Sequence, residues 1–521
     1  MLTRPPASSP PAPSPPASSS PPSGSAPVLP RPRPAAGARP AAPPYWRSLL
    51  PALALLAFLT RLPSFRHPLW NPDEGYLAVQ ARMLADGGVL YDTVVDRKPP
   101  LLPWLYETAF ALFGDESLLP LQLAAVAAQL LTAALLASIA RRRWGDAAGR
   151  TAGALYLLIS IGLNPQDAQA ATFEVFILPF TVAAVRCADR GRWCGAGVAV
   201  AAAFLTKQTG GAALVPVLWL LWQNAPTRGA LFRTAFGFCL PVLYAALLTG
   251  PHRFLFWTVT GSGAYASFTG SELHVLFRAL ANSLLLAFAC AGLIPPVLRA
   301  LRVARTGAAD LWLWLLSAAA AVIVGFHFFG HYYLQLMPPI ALLATGALQL
   351  LPARRVAGAV VTSACTCAVF LAWGLLAPRP ELAHVQKVAK AVKTRTGHQD
   401  RVLVWGIHPE AYWFADRAPA SRYLTAGLLT NYSGGRNGPQ VGEKYAMAGA
   451  WAVFRSEMAA GPPALIVDDS RGKPFAPDRV PTLRRLLAGG YEELTTVDGA
   501  VLYVRTSPAP PAPPASPGPP G

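Results

Sequence analysis

The stretch SLLPLQLAAVAAQLLTAALLASIA, residues 117–140, decides the class of fold. It contains no charged side chain, and its length and composition are those of a helix that crosses a lipid bilayer. Three arginines, Arg141, Arg142 and Arg143, follow it directly. The sequence therefore predicts a membrane helix that ends at a basic, water-exposed turn.

Similar apolar runs recur on both sides of this stretch. Together they predict eleven membrane spans, at residues 48–63, 117–140, 151–163, 171–188, 194–206, 210–223, 231–249, 275–298, 311–326, 332–351 and 356–377. The composition agrees, because 53% of the residues are hydrophobic and only 13% are charged, whereas about a quarter are charged in an ordinary soluble protein. A simple soluble enzyme is excluded. We expect a polytopic α-helical membrane unit over residues 45–377.

The formal net charge of +18 could indicate a nucleic-acid partner, but the basic residues lie mainly in short gaps between apolar runs. With residues 1–44 placed in the cytoplasm, the cytoplasmic gaps hold Arg141, Arg142, Arg143, Arg150, Arg186, Arg190, Arg192, Arg228, Arg233, Arg299, Arg302, Arg305, Arg354 and Arg355. This bias follows the positive-inside rule. It predicts a multi-pass protein of the cell membrane, with a cytoplasmic N-terminus, exterior segments at 64–116 and 378–506, and no nucleic-acid partner.

The parts outside the membrane unit have two different compositions. Residues 1–44 and 507–521 are rich in Pro, Ala and Ser, so we expect disordered tails. Residues 378–506 instead suggest a small exterior α/β domain, with helices at 381–395 and 482–487, strands at 401–405 and 464–467, and alternating residues from 493 to 505. Its aromatic and polar segment from His408 to Arg422 is either a sugar-recognition edge or a contact with the membrane unit.

The first exterior segment carries the most informative motif, HPLWNPDEGYLAVQARMLADGGVLYDTVVDRKPPLLPWLYETAFALFG, residues 67–114. Asp73 and Glu74 stand at the start of a predicted helix, where acidic residues often serve only as part of a cap. A carboxylate beside a membrane is costly, however, unless it is solvated, paired or used. The same segment supplies Arg97 and Lys98 before two prolines. A carboxylate and a cation at one interface suit a reaction between a hydroxyl acceptor and a lipid phosphate.

The motif NPDEGY at 71–76, followed by DRKPPLLPWL at 96–105 and LFG at 112–114, resembles the first exterior loop of the GT-C glycosyltransferases. The most similar branch is family 39, which contains the protein O-mannosyltransferases and the aminoarabinose transferase acting on lipid A. The resemblance implies a GT-C-like fold with about eleven transmembrane helices. It also implies that a sugar is taken from a polyprenyl-phosphate carrier at the exterior membrane face.

The resemblance assigns roles to residues of this loop. Asp73 is expected to be the catalytic base that deprotonates the acceptor hydroxyl, with Glu74 as the second catalytic carboxylate, orienting or supporting it. Lys98, next to Arg97, is expected to bind the donor phosphate. A second acidic position falls in NPQDAQAATFEVF, residues 164–176, where Glu174 fits better than Asp167. A divalent cation, Mg²⁺ or Mn²⁺, held by Asp73 and Glu174 is left open.

Three further residues are candidate substrate contacts. Lys207, in FLTKQTGG, either contacts a phosphate or reaches for lipid headgroups. Tyr265, in a loop rich in Gly, Ser and aromatics, either contacts sugar or lipid or anchors the chain at the interface. His331 is either a substrate contact or an interfacial histidine.

The resulting hypothesis is an integral-membrane glycosyltransferase that moves a sugar from a polyprenyl-phosphate carrier to an exterior glycan, lipid or protein, with inversion at the anomeric carbon. Two alternatives belong to other classes. A lipid-linked sugar flippase or transporter would also use many spans, although such proteins commonly show internal repeats. A non-enzymatic cell-envelope assembly protein would use the exterior domain as its active part.

Overall fold

The structure, a computed structural model, describes residues 44–224, 226–261, 272–303, 308–432 and 438–506, with no side chains for 299–303. The predicted tails, apart from residue 44, lie outside these ranges. The helices of the apolar unit are α1 (Tyr45–Thr60), α2 (Pro72–Ala85), α3 (Leu101–Phe113), α4 (Leu119–Trp144), α5 (Asp146–Ile159), α6 (Pro165–Ala168), α7 (Phe173–Asp189), α8 (Trp193–Thr206), α9 (Leu214–Asn224), α10 (Arg228–Thr249), α11 (Pro251–Thr258), α12 (Glu272–Ala289), α13 (Ile294–Val303), α14 (Ala309–Val324), α15 (Met337–Leu348) and α16 (Ala353–Leu376). Short 3₁₀ helices lie at Leu62–Arg66, Gln208–Ala213 and Gly330–Leu336.

Within the described residues, four helices are long and apolar enough to cross a membrane: α4, α10, α12 and the helix that begins at Ala353. Other apolar helices, including α1, α3, α8 and α14, are shorter, at 10–17 residues. Large apolar side chains on α10 and α12, such as Phe232, Leu243, Phe277 and Leu284, are exposed. In a bundle of this composition such side chains face lipid. The chain is therefore a membrane protein, and the number of eleven spans stays a prediction.

The predicted span at 275–298 is not one continuous helix. α12 ends at Ala289 and α13 begins at Ile294. Pro295 and Pro296 stand in the first turn of α13, where their missing N–H groups are tolerated, whereas inside one helix they would remove two hydrogen bonds. The span predicted at 332–351 similarly begins as a 3₁₀ helix and becomes α15 only at Met337, just before Pro338 and Pro339.

The C-terminal part contains helices α17 (Pro380–Arg395), α18 (Glu410–Ala415), α19 (Gly427–Thr430), α20 (Ala450–Ala460) and α21 (Pro481–Ala488), and 3₁₀ helices at Glu443–Tyr445 and Pro477–Arg479. Its strands are β1 (Arg401–Trp405), β2 (Ala418–Pro419), β3 (Leu465–Asp468), β4 (Tyr491–Val497) and β5 (Ala500–Arg505), in the order β2-β1-β3-β5-β4. β1 pairs in parallel with β2 and β3, with Val402 opposite Leu465, and β5 pairs antiparallel with β3 and β4.

The alternating stretch at 493–505 belongs to two strands, β4 and β5. The backbone of Asp498 and Gly499 has positive φ, 51° and 87°, and an Asp-Gly pair in this conformation reverses the chain between antiparallel strands. The hairpin of β4 and β5 completes the sheet beside β3. Alternation alone did not reveal this turn.

The segment from His408 to Arg422 packs against the apolar unit. Arg82 donates to the carbonyl of Trp413 (3.1 Å), and the Trp413 indole donates to the carbonyl of Asp115 (2.8 Å). Arg422 donates to the carbonyl of Asp92 (2.7 Å). The described residues from Tyr45 onward form one compact unit, in which the α/β part packs on α2 and on the loop that follows α2.

Candidate active site

The start of α2 is fixed by a reciprocal cap. Asn71 Oδ1 accepts a hydrogen bond from the Asp73 amide (3.0 Å), and the Glu74 carboxylate accepts one from the Asn71 amide (3.0 Å). Such a capping box satisfies backbone donors at the first turn of a helix. Asn71 and Glu74 therefore do the capping, and the Asp73 side chain, 35% exposed, is left for other contacts.

The Glu74 carboxylate is completely buried, and both of its oxygens accept hydrogen bonds from backbone amides. One oxygen accepts from the amides of Trp70 (2.6 Å) and Asn71 (3.0 Å), and the other accepts from the Ala171 amide (2.7 Å). Glu74 thus ties the start of α2 to the segment that leads into α7.

That segment, residues 164–172, is also held from the end of the first helix. The buried Arg61 guanidinium donates to the carbonyls of Ala168 (2.6 Å) and Gln169 (2.9 Å), and the Tyr106 hydroxyl donates to the carbonyl of Ala171 (2.7 Å). Sequence analysis missed Arg61. The available signal was a charged residue at the end of an apolar run, where burial needs a partner.

Asp73 forms an ion pair with Lys98. Lys98 Nζ lies 3.0 Å from Asp73 Oδ2 and 4.1 Å from the centre of the Phe173 ring. Burial alone would raise the pKa of the Asp73 carboxyl, but the charges of Lys98, His331 and Lys207 together hold that pKa below its usual range. Asp73 is therefore ionised at neutral pH.

A second carboxylate–lysine pair lies beside the first. Glu174, the residue after Phe173, accepts a hydrogen bond from Lys207, and both side chains are buried. Lys207 Nζ also lies 4.0 Å from the centre of the Tyr332 ring. Among the described residues, Glu174 Oε2 is buried without a hydrogen-bond partner. A buried carboxylate oxygen in this condition is costly, which makes it a candidate contact for a ligand donor.

His331 completes the cluster and brings in the alternative acidic residue. Its Nδ1 lies 2.6 Å from Asp167 Oδ1, and its Nε2 lies 3.9 Å from Glu174 Oε1. The ring stacks on Phe329 at 5.5 Å. Glu174 and Asp167, the two candidates for the second acidic position, therefore both lie beside His331 in one site. We call the set Asp73, Lys98, Asp167, Glu174, Lys207 and His331 the charged cluster.

The remaining candidate substrate contacts are Arg97 and Tyr265, and neither belongs to the charged cluster. Arg97 lies in the loop of Lys98, and its carbonyl accepts a hydrogen bond from the Gln208 amide group (2.6 Å), which also donates to the carbonyl of Thr258 (3.0 Å). Gln208 thus joins the two lysine-bearing loops. Tyr265 lies outside the described residues.

In the described part of the chain, no group of three or more His, Cys, Asp or Glu is arranged to hold a metal ion. Asp73 and Glu174, the residues considered as ligands of Mg²⁺ or Mn²⁺, each form an ion pair with a lysine ammonium group. The two lysines are the positive charges that the structure places beside these carboxylates.

Arg379, at the junction between α16 and α17, is a further residue that the sequence did not single out. It donates a hydrogen bond to the carbonyl of Trp70 and lies 4.7 Å from the centre of the Trp70 ring. Trp70 in turn donates its amide to Glu74. Arg379 thereby links the start of the α/β part, through Trp70, to Glu74 beside Asp73.

Comparison with known proteins agrees with this architecture. Residues 97–257 match the family described as dolichyl-phosphate-mannose-protein mannosyltransferase, and no curated protein sequence gives a significant match. The fold is similar to that of ArnT from Cupriavidus metallidurans bound to undecaprenyl phosphate, with a TM-score of 0.59 and 17% identity over 89% of this chain and 99% of that one.

A more distant likeness is to the archaeal oligosaccharyltransferase AglB from Archaeoglobus fulgidus, solved with an inhibitory peptide and a dolichol-phosphate. The TM-score is 0.51 and the identity 14%, over 89% of this chain and 74% of that one. At these identities the structures establish a shared fold only. The family match over residues 97–257 and the shared fold agree with the resemblance of this chain to the GT-C membrane glycosyltransferases, on the branch of the protein O-mannosyltransferases and ArnT.

Proposed function

We propose that this protein transfers a sugar from a polyprenyl-phosphate carrier to an acceptor hydroxyl, with inversion at the anomeric carbon. The observation that carries the proposal is the convergence of two carboxylate–lysine pairs, Asp73 with Lys98 and Glu174 with Lys207, at one end of an apolar bundle. An ammonium group suits the phosphate of a lipid carrier, and a carboxylate suits the proton of a hydroxyl.

In the proposed step the acceptor oxygen attacks the anomeric carbon while Asp73 takes its proton. The bond between that carbon and the phosphate oxygen breaks, and the phosphate leaves with the electron pair. Lys98 and Lys207 stabilise the charge that develops on it. Phosphate is a good leaving group, so alignment and charge stabilisation supply the catalysis.

The ion pair of Asp73 makes this base weak before the donor binds, because a carboxyl with a lowered pKa holds a proton poorly. When Lys98 turns to a donor phosphate, Asp73 loses its counter-charge and becomes more basic. Donor binding would therefore activate the base. This gives a physical reason for placing the acid and the lysine in contact at 3.0 Å.

The other residues have supporting roles in this proposal. Glu74 positions Asp73 through its three backbone hydrogen bonds, since neither of its oxygens is available to a substrate. Glu174 and His331 orient Lys207 and offer polar contacts to the sugar. Arg97 and Tyr265 stay proposed substrate contacts, on the exterior face that the arginine distribution predicts.

Carrier-dependent transfer by purified protein tests the function. The protein would be incubated with a panel of polyprenyl-phosphate sugars and with glycan, lipid and peptide acceptors, and transferred sugar would be measured. Asp73→Asn should lower turnover about 10²- to 10⁴-fold, the usual effect of losing a general base, without loss of folded protein. Asp86→Asn, at the exposed end of the same helix, is the matched control. Near-normal turnover by Asp73→Asn would contradict the assignment.

A further inference from the structure

A basic groove lies at the opposite end of the bundle from the charged cluster. It is a cavity of about 590 Å³ lined by Trp46, Leu50, Ala134, Leu135, Ser138, Arg141, Arg142, Arg186 and Arg190. These residues come from the start of α1 and the ends of α4 and α7. Glu174 stands at the start of α7, so Arg186 lies roughly 18 Å farther along the helix axis, at 1.5 Å per residue. The groove is thus separate from the proposed active site.

Two of its arginines are held side by side without a carboxylate. Ser138 Oγ accepts one hydrogen bond from Arg186 Nε and another from Arg190 Nη2, both at 3.0 Å. The neighbouring Arg141 and Arg142 each have an acidic partner, Asp146 at 2.7 Å and Asp189 at 3.2 Å. Across the described ranges, no ion pair is formed by Arg186 or Arg190. Like charges brought together in this way repel each other unless an anion lies between them.

The wall beside these arginines is apolar. Trp46, Leu50, Ala134 and Leu135 line it, and Leu50 is 40% exposed. A ligand that fills the groove would therefore present an anionic group to the arginines and hydrocarbon to the wall. Headgroups of membrane lipids lie at this level, where an apolar helix gives way to basic residues.

We propose that the basic groove binds an anionic phospholipid, with its phosphate between Arg186 and Arg190 and an acyl chain along Leu50 and Leu135. Arginine is suited to this role because its planar group donates two parallel hydrogen bonds to phosphate oxygens. Ser138 keeps the two guanidinium groups in register. The lipid is a structural ligand of this face of the bundle and takes no part in the transfer reaction.

Delipidated full-length protein in a neutral detergent would be titrated with phosphatidylglycerol, and bound lipid would be counted by native mass spectrometry. Arg186→Gln combined with Arg190→Gln should weaken binding on the order of 30-fold, the effect expected of two basic residues at an anionic headgroup. The control combines Arg228→Gln with Arg233→Gln, which removes the same charge from α10 outside the groove. It should bind as the wild-type protein does. An equal loss in both double variants would overturn the site in favour of general surface charge.

Three more measurements separate the sources of binding. Phosphatidylcholine bound as tightly as phosphatidylglycerol would show that the apolar wall acts alone, and displacement of the lipid by equimolar inorganic phosphate would show a soluble anion site. Either result would overturn the proposal. Ser138→Ala keeps every charge and removes only the shared acceptor, so it should weaken phosphatidylglycerol binding by a smaller factor. It decides the matter if the double arginine variant does not fold, because unchanged binding by Ser138→Ala would then contradict the site.

Discussion

At the residue scale, the ionisation of Asp73 depends on Lys98. The burial that would raise the pKa of the Asp73 carboxyl is outweighed by Lys98 first and by His331 and Lys207 next. Lys98→Met should therefore raise this pKa, and the acid limb of the pH profile of kcat/KM should move to higher pH. Each profile would be scaled to its own plateau, because the variant also loses a phosphate contact. Lys390→Met, at an exposed position, should leave the limb unchanged, and an unmoved limb in Lys98→Met would show that another group controls it.

Glu74 is expected to be needed for folding as well as for activity. Glu74→Gln replaces one acceptor oxygen by a donor, so at least one of the three backbone amides that donate to Glu74 loses its partner. The expected loss of stability is about 2–5 kcal/mol, measured as a lower thermal unfolding temperature of the detergent-solubilised protein. Glu116→Gln makes the same change at an exposed site and should have little effect. If both variants melt alike, Glu74 does not hold the loop.

At the scale of elements, α2 and α18 touch backbone to backbone. A Cβ at Gly75 would stand 2.3 Å from Glu410 Cβ and 2.7 Å from Glu410 Cα. These distances are too short for carbon atoms, so α2 and α18 would have to move apart. Gly75→Ala should therefore destabilise the protein by about 1–3 kcal/mol and lower turnover, because α2 carries Asp73. In an open helix the same change would stabilise by up to about 1 kcal/mol.

Gly358, in α16, is the matched control for that comparison. No heavy atom lies within 4 Å of a Cβ built there, so Gly358→Ala should keep turnover and leave stability unchanged or slightly higher. Thermal unfolding and transfer rates of the two variants would be measured in parallel. Equal behaviour would contradict the view that α18 fixes the position of α2.

At the scale of the whole molecule, the arginine asymmetry predicts which side of the membrane carries the site. In a cysteine-free variant, Glu116→Cys and Lys390→Cys should react with a membrane-impermeant thiol reagent added to intact cells. Arg354→Cys, on the predicted cytoplasmic side, should react only after the membrane is opened. The reverse pattern would invert the topology and put the site on the other face.

The sequence by itself determined the membrane class, and it predicted most members of the charged cluster that the structure brings together. Apolar runs longer than 20 residues have few other uses in proteins, and the spacing of NPDEGY and DRKPP is a local property of the chain. These two motifs contain Asp73 and Lys98, and the family resemblance that they carry implied Glu174, Lys207 and His331 as further candidates. Strands β1 and β3 and helix α17 were also predicted close to their observed bounds, because burial imposes a period on short segments.

Only the tertiary structure decided how these residues pair. Asp73 with Lys98, Glu174 with Lys207 and His331 with Asp167 are separated by 25, 33 and 164 positions, and no local pattern specifies which charge meets which. The break between α12 and α13 likewise depends on how the chain packs around two prolines. Arg61 and Glu74 hold the segment 164–172 by hydrogen bonds to its backbone, and these groups meet only when distant parts of the chain come together. A buried charge is stable only where such partners converge, and that convergence is a property of the fold, not of any one segment.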